Sequence, residues 1–168
     1  MREVTLTRGF VALVDDEDFA RVSQFKWCAI PSPRNVYAAR NERHVEGGRR
    51  QRLVLMHRFI AGTAPDAETD HVDGNGLNNR RENLRTATCS QNRRNSRRAV
   101  GGTSRYKGVT AVVDAWRARI WVDGRRLSLG SFPDEDAAAR AYDAAARAHY
   151  GAFAAVNFPG PGERSALA

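Results

Sequence analysis

Apolar and polar residues alternate with a short period along the first third of the chain. Val4-Thr5-Leu6 and Phe10-Val11-Ala12-Leu13 are strand-like runs on either side of Arg8-Gly9, which predicts a hairpin. Asp15 or Asp16 caps a helix that the pattern carries to Phe25. Trp27–Ile30, Asn35–Arg40 and Arg52–His57 read as further strands, separated by Pro31/Pro33 and by Gly47-Gly48. This reading places His57 on an apolar strand, as a packed histidine, with His44 and His149 at the surface.

The pattern then turns polar. Asp70–Val72 and Leu84–Ala87 are short strands around a Gly/Asn turn over Asp73–Asn79. Thr88-Cys89-Ser90-Gln91 has the spacing of a capping box, which opens a helix with Asn92 in its first turn. Past Gly101-Gly102 the two-residue period returns. Val109, Trp116, Ala118, Ile120, Val122, Leu127 and Leu129 are inward positions on three strands turned at Asp114 and Asp123-Gly124. Asp134 caps a helix to Tyr150, with Gly151 just beyond its end and alanines along its packing side.

These elements predict an α+β chain of five segments. Residues 1–51 form an N-terminal β-rich segment, 52–98 a strand–loop–strand–helix core, 99–104 a linker, 105–159 a three-stranded antiparallel sheet backed by one helix, and 160–168 a tail. A chain of 168 residues suits one ordinary domain or two small ones.

Charge sharpens the picture. The net charge is +8, and a basic protein of this size seeks polyanions or acidic partners. Between Glu82 and Asp114 there is no carboxylate, while Arg85, Arg93, Arg94, Arg97, Arg98, Arg105 and Lys107 supply seven cations. Mean hydropathy is −0.57, no apolar run is long enough to span a membrane, and MREVTLTRGF lacks the apolar stretch of a secretory signal. Cys28 and Cys89 are the two cysteines, without a CxxC pair, which excludes a disulfide framework and a four-thiolate zinc site and points to a reducing cytoplasm.

The polar turn carries chemistry. Hydrolysis of a phosphodiester needs an activated water, neutralised charge on the phosphorus centre and help for the leaving oxygen. Asp70 and Asn92 are hard oxygen donors that suit one Mg²⁺, and Mn²⁺ suits the same set. His71 suits the base. Asn83 suits an orienting role, holding the loop or the imidazole, and Asp73 reads as a turn-forming aspartate. The spacing of His71, Asn83 and Asn92, with Val54-Leu55-Met56-His57-Arg58 before it and Asn83-Leu84-Arg85-Thr86-Ala87-Thr88 within it, resembles HNH endonucleases of the ββα-metal type. The nearest branch is the homing enzymes, in which asparagine replaces the last histidine. The resemblance covers residues 52–98. It implies His71 as general base, Asn83 as its positioner, and Asp70 and Asn92 as metal ligands.

Alternation over Trp116–Val122 puts Arg117, Arg119 and Trp121 on the sheet face away from the helix, joined by Arg126 and Ser128 from the third strand and by Thr110 and Val112 from the first. Tyr106-Lys107-Gly108-Val109, Leu129-Gly130-Ser131-Phe132, Ala139-Arg140-Ala141-Tyr142-Asp143 and Asn157-Phe158-Pro159 resemble the APETALA2/ethylene-response-factor DNA-binding domain. That family lays its sheet in the major groove. The resemblance implies Lys107, Arg119, Trp121 and Arg126 as contacts, with Arg117 beside them, and Tyr142 either at a phosphate or packed on the sheet. Thr110, Val112 and Ser128 depart from the plant pattern of arginines and a tryptophan, so the plant target sequence does not carry over. Leu6-Thr7-Arg8-Gly9, Val14-Asp15-Asp16-Glu17-Asp18 and Trp27 are similar to the start of phage and bacterial homing nucleases that combine both modules.

The expectation is therefore a site-specific, metal-dependent endonuclease acting on double-stranded DNA in a bacterial or phage-infected cell. Arg93, Arg94, Arg97 and Arg98 would track phosphates. No membrane or obligatory protein partner is indicated; a monomer would nick, and a homodimer on DNA would cut both strands. The alternative is a sequence-specific DNA-binding regulator with an inactive nuclease core.

Overall fold

The computed structural model describes residues 1–32, 35–43, 51–98 and 101–167. Pro33, His44, the expected Gly47-Gly48 turn and residues 99–100 of the expected linker lie outside the described residues. The chain mixes helices with several small sheets. It divides into two compact units, Met1–Cys89 and Ser90–Ala168.

In the first unit, β1 (Arg2–Thr5) pairs antiparallel with β2 (Val11–Val14). Arg8 and Gly9 make the reversal with φ of 63° and 74°. Helix α1 is Asp16–Val22, shorter than the sequence predicts. A second antiparallel sheet runs β3 (Cys28–Ser32), β4 (Asn35–Arg43), β5 (Gln51–Leu55). The predicted strand over Arg52–His57 stops at Leu55, and Met56–Ala61 is helix α2, closed by Gly62 at φ 63°. His57 is thus a helical residue. Met56 and Ile60, four apart, face one side, where they join Val4, Leu6, Ala12, Val14, Val22, Trp27, Ala29 and Ala38 in a single core. That shared core is why no boundary falls at residues 51/52. The polar ribbon follows, β6 (Glu68–His71) against β7 (Leu84–Ala87), antiparallel, with Asp70 opposite Arg85 and His71 opposite Leu84. Helix α3 (Cys89–Arg94) begins where the capping pattern predicts.

In the second unit, β8 (Val109–Val112), β9 (Ala115–Val122) and β10 (Arg125–Phe132) form an antiparallel sheet in the order β10-β9-β8. Asp123 and Gly124 sit at φ 47° and 77°, the backbone that a two-residue type I′ turn requires. Helix α4 (Glu135–Tyr150) backs the sheet, its first turn capped by the Asp134 carboxylate, which accepts from the Ala137 amide at 2.7 Å. Ile120, Tyr142, Ala146, Tyr150 and Val156 make one part of its core, and Tyr106, Val109, Ala118, Ala138 and Ala139 another. Gly108, at φ +77°, is pressed on Tyr142: an added Cβ would lie 2.0 Å from the ring.

The expected tail is part of this fold. Arg164–Ser165 forms β12, parallel to β11 (Ala155–Val156), and Ala166 is buried. The basic run before the expected linker is also built in: the Arg98 amide donates to Ala166 O at 2.9 Å and its guanidinium to Ser104 O at 3.0 Å.

Candidate functional site

The first unit closes its Gly/Asn loop on itself. Asn83 donates to Asp73 Oδ1 at 2.9 Å and to Asn78 O at 2.8 Å, and its own Oδ1 accepts from the Asp73 amide at 3.0 Å. Asp73 also accepts from the Asn75 amide and from the Asn78 side chain, both at 2.8 Å. Asp73 therefore organises the turn, and Asn83 acts on the loop rather than on the imidazole.

The N-terminal segment, whose role the sequence left open, grips the loop from outside. Leu13 exchanges backbone hydrogen bonds with Leu77 and Asn79, each at 2.8 Å. Asp18, buried, takes the Arg81 guanidinium at 2.7 and 2.8 Å. From β4, the Asn35 side chain bonds Gly74 O and the Gly76 amide at 2.9 and 3.0 Å. Gly76 packs so closely on that strand that a Cβ would stand 2.5 Å from Val36 O and 2.7 Å from the Tyr37 ring.

The loop delivers Asn79, fully buried, to His71. Asn79 Nδ2 donates to Leu77 O at 3.1 Å, which turns its Oδ1 toward His71 Nε2 at 3.4 Å, a long hydrogen bond. The amide oxygen can only accept, so Nε2 carries the proton and the imidazole lone pair is on Nδ1. Burial holds the His71 pKa below the ordinary histidine value, against the opposing pull of Asn79, Asp73 and Asp70. His71 is therefore neutral near pH 7.

Two aromatic rings complete the wall. His57 lies edge-on to His71, with centroids 4.9 Å apart at 84°. Tyr37 is 5.8 Å from His57 and 6.0 Å from His71. Tyr37 and Asn79 carry no signal in the local pattern of the chain, and His57, packed as expected, lies on a helix rather than on a strand. The four-residue spacing of Met56 and Ile60 ahead of Gly62 was the available signal for the helix that carries it.

Asp70 is buried and faces Arg85 across the ribbon; two guanidinium nitrogens reach its Oδ2 at 2.7 and 2.9 Å. Asn92 is on α3, in the second unit, and half-buried. The Asp70 carboxylate is a hard donor, and that chemistry suits Mg²⁺ with water filling the remaining positions. A cation held by Asp70 would share the carboxylate with Arg85. Among the described residues, no three His, Cys, Asp or Glu side chains converge as a metal cluster.

The second unit offers an open basic face. Thr110 lies opposite Arg117, Arg119 opposite Ser128, and Trp121 opposite Arg126, so these residues share one side of the sheet. Trp121 is 60% exposed with the Arg126 guanidinium 6.0 Å from its ring. Lys107 departs from the expectation of a surface contact. Its ammonium donates to Arg94 O at 2.7 Å and Ser96 O at 2.6 Å, and burial lowers its pKa to about 8. Tyr142 is packed rather than presented. Of the basic run, Arg93 is exposed and Arg97 half-buried. Arg94 stacks 5.0 Å from the Tyr150 ring and pairs with Asp123 at 3.4 Å.

No protein-family model and no solved structure matches the chain. Among curated proteins, an AP2/ERF and B3 domain-containing protein of Oryza sativa subsp. japonica is 52% identical over 63 residues, 37% of this chain, which spans 17% of that protein. An AP2-like ethylene-responsive transcription factor of Arabidopsis thaliana is 40% identical over 57 residues, 34% of this chain and 16% of that protein. An uncharacterized HNH endonuclease of Acanthamoeba polyphaga mimivirus is 32% identical over 157 residues, 89% of this chain and 76% of the viral protein. Similarity of that extent takes in both units, and with it the chain belongs to the HNH endonuclease family.

Proposed function

We propose that this protein is a site-specific DNA endonuclease with a ββα-metal cleavage core, in which His71 is the general base and the sheet of the second unit holds duplex DNA. The observation that carries the reading is the buried imidazole of His71, neutral and fixed in one tautomer by Asn79, beside Asp70. A base must be unprotonated at working pH and aimed at its water before substrate arrives.

His71 Nδ1 takes the proton as water attacks phosphorus, and Nε2–H donated to Asn79 keeps the ring from turning as charge builds. Asn83 acts at one remove by holding Asp73 and Asn78, and through them the loop that bears Asn79. Asp70 and Asn92 would hold one Mg²⁺ or Mn²⁺. When bound, that ion neutralises charge on the phosphodiester and assists the leaving 3′ oxygen. The products are a 5′-phosphate and a 3′-hydroxyl.

Similarity to AP2/ERF proteins supports DNA as the partner of the second unit. Arg117, Arg119, Trp121 and Arg126 are the proposed contacts, while Lys107 supports them by tying the end of α3 to the domain. A monomer nicks one strand; a homodimer on the site cuts both. No helix is long and apolar enough to cross a membrane among the described residues.

The test is to incubate wild type and His71→Ala with supercoiled plasmid, with Mg²⁺ and with EDTA. Mg²⁺-dependent nicked or linear product from wild type alone is expected. Equal cutting by both proteins overturns the base. If neither cuts plasmid or a randomised-site library while both shift DNA, the protein is a DNA-binding regulator with an inactive core.

A further inference from the structure

His57 takes no part in the proton transfer assigned to His71. It sits in the first turn of α2, 6% exposed, against the ring of His71. Its Nδ1 is fully buried and has no hydrogen-bond partner among the described residues. A polar atom buried without a partner loses its hydration with nothing to replace it, which destabilises the fold. A phenylalanine would fill the same space beside Tyr37 and His71 at no such cost, so packing alone gives no reason for an imidazole here. Native folds hold few such atoms, and a catalytic role is one of the reasons for which they are kept.

The ring is also kept uncharged. Burial, then the nearby His71, then Arg58 lower its pKa to about 3. An imidazole of this kind presents one N–H and one lone pair, and can serve an oxygen either way without adding a second positive charge beside the base.

We propose that His57 is a second imidazole of the cleavage centre, whose edge holds the His71 ring in register and whose Nδ1 hydrogen-bonds an oxygen of the bound phosphodiester or of its water. The role rests on the assignment of His71 as the base. Tyr37 is the apolar third wall that keeps both rings in place.

Two substitutions separate this role from packing. His57→Phe keeps an aromatic ring and removes Nδ1. His57→Asn loses the ring and keeps a polar atom near the Nδ1 position. On supercoiled plasmid with Mg²⁺, His57→Phe is expected to lower kcat roughly 10- to 100-fold with KM within a few fold. Its thermal midpoint should match or exceed that of wild type. His57→Asn should recover most of the rate despite a lower midpoint. Wild-type turnover in His57→Phe would show that the residue only packs, and an Asn variant as slow as Phe would show that Nδ1 is not the atom used. His71→Ala is run alongside: if it cuts like wild type, the base assignment itself fails and the role of His57 goes with it. If it is inactive while His57→Phe cuts normally, only the present proposal fails.

Discussion

The two units use polar residues in opposite ways. In the first, Asp70 and His71 on β6 and Asn79 and Asn83 after it are buried, and the Gly/Asn loop that follows β6 is tied down by side-chain hydrogen bonds. In the second, Trp121 and the arginines opposite and beside it lie on the open face of a sheet whose other face is packed on α4. Chemistry at phosphorus needs groups fixed before substrate arrives, and burial fixes them at the cost of desolvation. Recognition of a duplex needs cations that stay hydrated until phosphate and base edges replace the water. One chain therefore separates rigidity from accessibility.

Cleavage and binding, read separately, test whether the two units act independently. His71→Ala should lower cleavage by about 10²–10⁴-fold and leave DNA affinity within a few fold. Plasmid nicking and gel shift on the same preparation measure both; parallel losses would mean that the units are not functionally separate. Next in size is Gly108→Ala, which drives a Cβ toward the Tyr142 ring at a backbone angle that disfavours side chains. It should cost ~1–3 kcal/mol of stability or more, read in urea unfolding, and weaken DNA binding through the misplaced sheet.

His57 and His71 are neutral in the fold because their pKa values are lowered, that of His57 to about 3. The unfolded chain takes up protons on both below about 6.5, so their linkage lowers stability as pH falls from 6.5 toward 3. Urea midpoints at pH 7, 5 and 4 should show a smaller decline for His57→Phe than for wild type; an identical decline would mean that His57 is not buried as described. Smallest is the contact surface: Arg119→Ala should weaken binding by ~1–3 kcal/mol if it reads a base. If it touches only phosphate, it should instead flatten the salt dependence by about one. No change in either at moderate salt would remove it from the interface.

Local signals were legible where they depend on nearest neighbours. The Asp123-Gly124 turn, the Asp134 cap and β7 over Leu84–Ala87 follow from residue types a few positions apart. So did the placing of Arg119, Trp121, Arg126 and Ser128 on one face, because strand alternation has a fixed period. His57 was misread because a six-residue helix directly after a strand has too few turns for its period to outweigh the apolar run before it. The partners of the Lys107 ammonium were not legible, because the carbonyls of Arg94 and Ser96 that accept from it lie eleven or more positions away.

By itself the sequence determined most of the longer elements, the basic character and the His71–Asn83–Asn92 spacing, since each is written in local order and composition. Only the tertiary structure decided that Asn79 and His57 flank His71, that Tyr37 walls it, and that the N-terminal segment grips the Gly/Asn loop. Those relations join residues 8 to 66 positions apart. They exist because one hydrophobic core gathers β1, β2, α1 and α2, and the geometry of that packing appears in no local pattern of the chain.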